Sequence, residues 1–245
     1  MHISVGLIAR IRRLAFAAGV LRRPAPPTLP LLEYAGETGA ADWLRASLTT
    51  FAERVASFLP DHFDAYVRIY HPFDNGGGSP VAVPTWRELT ALAGRELRDP
   101  AAAEEFARYG VPNAQAQVGT LPPALIEVLV EHLRPATAAP EACYFAPWEG
   151  HGASAVPYDL EPRLDLPHRG YHVFAGPIEA ARTSYSVIPF AHQSANLWWP
   201  ADRAWCVATE VDFAWTYVGG TRVVVDALLA DPRLDAVETT AAARW

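Results

Sequence analysis

The chain contains no lysine: all twenty of its basic residues are arginine. That absence removes every mechanism that needs an amine nucleophile or a phosphate-binding lysine, so Schiff-base enzymes, Walker-type nucleotide hydrolases and protein kinases are excluded. There are only two cysteines, Cys143 and Cys206, and both lie in apolar runs. They read as buried thiols of a cytoplasmic protein rather than a disulfide framework, although a pair on neighbouring strands could bridge if oxidised. No G-x-S-x-G, H-E-x-x-H or glycine-rich nucleotide motif is present, so covalent catalysis and cofactor binding have no sequence support. Basic residues are too few and scattered to displace counterions from phosphates, given a net charge of -7 and a pI near 5.6, which argues against a nucleic-acid partner. Nor does any apolar run reach the roughly eighteen residues of a membrane span.

What the chain does have is bulk. With 245 residues and 51% hydrophobic composition it can bury a substantial core. The arginine excess, with much alanine and proline, reflects GC-rich coding of the actinomycete kind.

Residues 1–23 hold five arginines and no acid, and then run into the proline-rich PAPPTLP. Two readings of them stand: a basic amphipathic helix lying on a membrane, with Ile8, Ile11 and Leu14 on one face, or an extension without packing partners. The second is the plainer, and a membrane partner is not expected. Residues 1–41 are therefore assigned to a flexible, basic and then proline-rich extension, 42–237 to a single domain, and 238–245 to a tail.

Within the domain, Asp42 is a good N-cap, and Leu44, Leu48, Phe51, Val55 and Phe58 recur at helical spacing before Pro60. Phe63–His71 alternates as a strand, with Val67 and Ile69 on one face and Tyr66, Arg68 and Tyr70 on the other. The loop at 74–80 carries three glycines. Thr85 and Glu88 form a capping box for a helix to about Leu97, and Asp99–Pro100 opens another short helix to Tyr109. Leu125, Ile126, Leu129, Val130 and Leu133 predict a central helix over 120–133. CYFAPWEGHG predicts a strand ending at Pro147, and Gly170–Ala175 predicts another, followed by a helix begun at Pro177.

From Trp205 to Thr216 the alternation puts Trp205, Val207, Thr209, Val211, Phe213 and Trp215 on one face and Glu210 and Asp212 on the other. Twelve residues is long for a strand, so a bulge or turn is expected near 212–214. A last helix, VVVDALLA, ends at Asp231–Pro232. Strands and helices mixed in irregular order predict an α+β fold, a mainly antiparallel sheet flanked by helices.

The segments WWPADRAWCVATEVDFAWTYVGG, CYFAPWEGHG and LPDHFDAYVRIYHPF resemble blocks in a group of actinobacterial proteins, a likeness over most of 42–237 that brings no activity with it. The layout of an N-terminal helix, Leu59–Pro60, aromatic strands and a C-terminal helix is distantly similar to SUKH proteins, many of which act as immunity proteins against toxins.

The densest segment is 196–220, with four of the eight tryptophans. Two functions are read from it. In the first, the protein binds a protein partner or small-molecule ligand through an aromatic and acidic surface: Trp148, Glu149, Trp199, Asp202, Arg203, Trp205 and Tyr217 are its candidate residues. In the second, Glu210 and Asp212 act as acid and base of a hydrolase, and Trp148, Trp199 and Trp205 stack on a sugar. Against the second stands a structural role for both carboxylates, with Arg203, Arg68 or Arg222 as partners. Asp202–Arg203 could simply fix its turn. His168, His172, His151 and Glu149 form a conceivable metal cluster, but without a ligand motif none is assigned.

Overall fold

The computed structural model describes residues 25–48, 53–74, 84–98, 115–167 and 169–245. The 1–23 segment, the triple-glycine loop, the short helix after Asp99 and His168 fall outside them. The strands among the described residues are β1 (Glu33–Tyr34), β2 (Ala65–Tyr70), β3 (Phe73–Asp74), β4 (Gln115–Ala116), β5 (Cys143–Ala146), β6 (Leu164–Asp165), β7 (Gly170–Tyr171), β8 (Phe174–Gly176), β9 (Leu197–Pro200), β10 (Cys206–Thr209), β11 (Trp215–Gly220) and β12 (Ala236–Thr239). The α-helices among the described residues are α1 (Asp42–Ser47), α2 (Trp86–Leu92), α3 (Pro123–Leu133) and α4 (Arg222–Ala230).

Eight strands form one sheet in the order β1-β8-β5-β9-β10-β11-β2-β12, every neighbouring pair antiparallel. The α+β architecture is thus present as a single domain. α3 and α4 cover one face, where Leu125, Ile126, Leu129 and Leu133 meet Val67, Ile69, Val207, Val218 and Trp198. The other face is covered by α1, α2 and the chain's last residues, which pack on Tyr66, Tyr70, Trp199, Cys206, Trp215 and Tyr217. Because both faces are covered, all six residues of β2 and of β11 are buried. Burying each large apolar side chain there contributes about 2 kcal/mol, and the aromatic wealth of 196–220 is core material.

Local signals act where expected. Thr85 and Glu88 make the capping box of α2, with the Glu88 carboxylate accepting from the Thr85 amide at 2.8 Å. α2 stops at Leu92, short of Leu97. Thr221 caps α4, and its hydroxyl accepts from the Val224 amide. α3 carries Pro123 at its first position, where a missing N–H costs nothing.

Four expectations need correction. The domain starts earlier than Asp42: Leu29 and Leu32 are buried, and Glu33–Tyr34 pairs with β8. It also ends later than 237, since 236–239 pairs with β2 and Trp245 packs on Phe213, 4.9 Å between ring centroids. The helix begun at Asp42 has Ala41 as its N-cap and ends at Ser47, where Leu48 turns extended; Val55–Ser57 is a separate short turn of 3-10 helix. Gly170–Ala175 divides between two sheets, β7 pairing with β6 and β8 with β5, and Pro177 caps a 3-10 turn over Ile178–Arg182.

The expected break in the long alternating run is a full reversal. β10 and β11 are antiparallel partners, with Thr209 opposite Thr216, and residues 210–214 form the turn. The reversal moves Phe213 and Trp215 to the face opposite Trp205 and Val207. Cys143 and Cys206 lie on opposite sides of β9 and both are free thiols.

Candidate functional site

The β10–β11 turn brings Glu210 and Asp212 together, though not on one strand face. The Asp212 amide donates to Glu210 Oε2 at 2.6 Å. Their cation is none of the three arginines considered; it is Arg169, next to β7, whose Nε and Nη2 donate to Glu210 Oε1 at 2.9 and 2.6 Å. Nη2 also reaches Asp212 Oδ2 at 2.9 Å. Both Glu210 oxygens are therefore engaged, with that side chain 4% exposed against 76% for Asp212. Burial works against the Arg169 charge, but the bonds to Glu210 and Asp212 outweigh it and raise its pKa.

The guanidinium centre of Arg169 lies 5.2 Å from the ring of Trp148, which is half-buried. A parallel ion group stands beside it. Arg163 donates to Glu149 and pairs with Asp165, each at 2.5 Å. Gly170 permits this approach, because a Cβ there would lie 2.6 Å from Glu149 Oε1. The β6–β7 ribbon thus carries two arginines, Arg169 bridging buried Glu210 to exposed Asp212 and Arg163 bridging partly buried Glu149 to exposed Asp165.

Behind Glu210 is a pocket walled by Phe58, Leu197, Thr209 and Tyr171, with room for about one water molecule. Burial, with Glu210 nearby, pushes the Tyr171 phenol far up, so it stays neutral. A space this small does not admit a sugar ring.

The other candidates are dispersed. Trp199 is wholly buried, between Tyr144 at 5.7 Å and Trp43 at 6.2 Å. Trp205 is buried with its Nε1 donating to the Leu133 carbonyl at 3.0 Å, and Tyr217 lies under the last residues of the chain. Asp202 fixes its turn: it accepts from Thr137 Oγ1, the Ala138 amide and the Ala204 amide. Arg203 occupies the left-handed region at φ 59° and lies over Trp43 at 5.7 Å. The aromatic surface expected at 198–217 is therefore interior, because the strands that carry it are central in a doubly covered sheet. Of the three tryptophans proposed to stack on a sugar, only Trp148 reaches the surface.

His151 Nε2 lies 3.0 Å from both Asn196 Oδ1 and Gln193 Nε2, donating to the first or accepting from the second according to its tautomer, and His172 is buried. Among the described residues no group of three His, Cys, Asp or Glu is placed to hold a metal ion, and no helix is long and apolar enough to cross a membrane.

Two features escaped the sequence reading. The first is the loop at 184–193, where Val187, Ile188 and Phe190 are 62, 48 and 99% exposed. The loop is held in shape: the Val187 amide donates to Ala153 O at 2.8 Å, the Tyr185 amide to Gln193 O at 2.8 Å, and the Ile188 amide to Ser186 Oγ at 3.0 Å. The signal was present in VIPF, an apolar run interrupted by proline between polar residues. The second is Arg169, whose partners lie some forty residues away and leave no local pattern.

No protein family, curated protein or solved structure matches the chain.

Proposed function

We propose that the protein works by binding another protein, and that the loop at 184–193 is the apolar anchor of that interface. The observation that carries this reading is the pinned loop: three apolar side chains, one of them a fully exposed phenylalanine, presented on a backbone already ordered by its own hydrogen bonds. An exposed aromatic on a preorganised loop is what a protein interface uses as an anchor, since little ordering entropy is lost on docking. The charged ribbon with Asp165 and Asp212 at its exposed ends supplies orientation and partner choice. Immunity-type inhibition, which the distant likeness to SUKH proteins implies, is a function of this class. The free, buried thiols of Cys143 and Cys206 support a reducing, cytoplasmic setting.

The hydrolase reading has less support. A general acid or base needs a free oxygen facing substrate, whereas Glu210 is bonded at both oxygens beside a one-water pocket.

Photo-crosslinking from position 188 in an extract of the source cells tests the proposal, comparing the native chain with Phe190→Ser. A discrete adduct that Phe190→Ser removes, at unchanged thermal stability, is the expected result. Identical adducts from both chains sink the anchor, and loss of a hydrolytic activity in a folded Glu210→Gln protein sinks the binding reading as a whole.

A further inference from the structure

Arg68 is 2% exposed on the central strand β2, yet no carboxylate among the described residues pairs with it. The contrast with Arg163 and Arg169 is sharp, since each of those is less buried and holds two carboxylates. A buried charge is costly unless paired. What surrounds this one is an aromatic cage: its guanidinium centre lies 5.1 Å from the Trp215 ring, 5.4 Å from Tyr217 and 5.9 Å from Tyr70. Tyr217 is neutral, because burial raises its pKa, and supplies no countercharge.

The polar contacts of Arg68 are sparse. Nη1 donates to Tyr70 Oη at 3.4 Å and Nη2 to the Arg244 carbonyl at 3.2 Å, while Nε finds no acceptor. Buried Trp215 Nε1 also lacks an acceptor of bonding geometry. Both groups face the Tyr217 hydroxyl, a neutral oxygen, and an oxyanion entering beside it would give these donors a charged acceptor.

The roof of the cage is residues 240–245. Arg244 gives its carbonyl to Arg68, and the Trp245 indole packs at a tilt against Phe213 at 4.9 Å and Phe58 at 6.3 Å, both rings adjoining the cage. Phe213 in turn stacks on Trp215 at 4.7 Å. The roof is tied to 54–56 by Val55 N to Ala243 O, Ala56 N to Ala241 O and Arg54 to Ala242 O. None of these bonds belongs to the eight-stranded sheet, so the segment can lift without unpairing it.

We propose that the Arg68 cage is a binding site for an aromatic monocarboxylate, closed here by 240–245, whose Arg244 carbonyl and Trp245 indole stand where the ligand's carboxylate and ring bind. A carboxylate replaces a neutral carbonyl with a charge-assisted, two-pronged partner for the guanidinium. The ring takes the place of the indole against Phe58 and Phe213. This site lies apart from the 184–193 loop, and its fate is independent of the interface proposed there.

Isothermal titration of the full chain with indole-3-propionate, and with indole as the uncharged control, tests it. Trp245→Ala removes the internal competitor and should bind indole-3-propionate about tenfold or more tighter than the native chain; indole should bind that variant about tenfold more weakly than the acid. Adding Arg68→Met should erase the preference for the acid. If Trp245→Ala does not fold, Glu53→Gln loosens the same segment by removing its outer ion pair with Arg244 and should tighten binding of the acid several-fold. Equal affinity for acid and indole, persistence of the preference in the Arg68→Met background, or no binding to either loosened variant overturns the proposal and leaves Arg68 with the aromatic faces and its two neutral acceptors.

Discussion

His71, just beyond the end of β2, is wholly buried, and acid must put a proton on it. Its Nδ1 lies 2.6 Å from the Gln117 carbonyl, which fixes the proton on that nitrogen and leaves Nε2 to accept from Thr216 Oγ1 at 2.9 Å. Thr216 is bonded in turn to Thr209 Oγ1 at 2.7 Å, so the three side chains form a buried relay joining β2, β11 and β10. Desolvation is the main reason that the folded pKa falls from 6.5 to about 4, partly opposed by the bond to Gln117. The unfolded chain therefore takes up the proton first as pH falls. The stability that neutral His71 confers is complete above pH 6.5 and drains away between there and about 4. At ~1.4 kcal/mol per pH unit, that gap amounts to about 3 kcal/mol, a large part of the ~5–15 kcal/mol of a typical domain. Urea melts followed by tryptophan fluorescence, in steps from about pH 7 to about pH 4, give the slope. His151 and His192 are shifted downward by burial as well, so the share of His71 is the difference from His71→Gln, which should start less stable and decline more gently. Parallel declines in the two proteins would refute the assignment.

The ion group at the hairpin should respond unevenly. Arg169→Ala strands the buried Glu210 and should cost about 3 kcal/mol, while Asp212→Asn at an exposed position should cost under about 1 kcal/mol; equal losses in urea would contradict the geometry. Gly119→Ala should destabilise by about 2 kcal/mol in the same assay, because Gly119 has φ 73° and a Cβ would overlap the Val211 carbonyl; an unchanged midpoint would show that the loop yields freely. Burial pushes the Cys143 thiol up to about 12 and the Cys206 thiol higher still, so neither should react with a thiol reagent in the folded protein at pH 8, and both should react at once in urea; fast labelling of the native state would argue against the packing.

Much of the fold was legible because periodic patterns report local burial. The spacing of Leu125, Ile126, Leu129, Val130 and Leu133 identified α3, and Thr85 with Glu88 marked the start of α2. Alternation through 65–70 placed Tyr66, Arg68 and Tyr70 on one face, which is the side that became the cage. The helix expected to run on from Asp42 failed for a different reason. Apolar spacing alone cannot tell a continuous helix from one that stops at Ser47 and resumes as a 3-10 turn at Val55.

The candidate site was much less legible. Glu210 and Asp212 stood out by residue type, but their role hangs on Arg169, and their relative placement on a reversal that alternation across 205–216 masks. Trp199, Trp205 and Tyr217 drew attention as a surface and proved to be core, since a sequence does not say whether a strand is covered on one face or two. Composition and local spacing therefore determined the class of fold, the excluded chemistries and the main helices, all of which depend on near neighbours. Which arginine meets which carboxylate, which aromatics face water and which arginine is left without a counterion were decided only when strands far apart in sequence came together in one sheet.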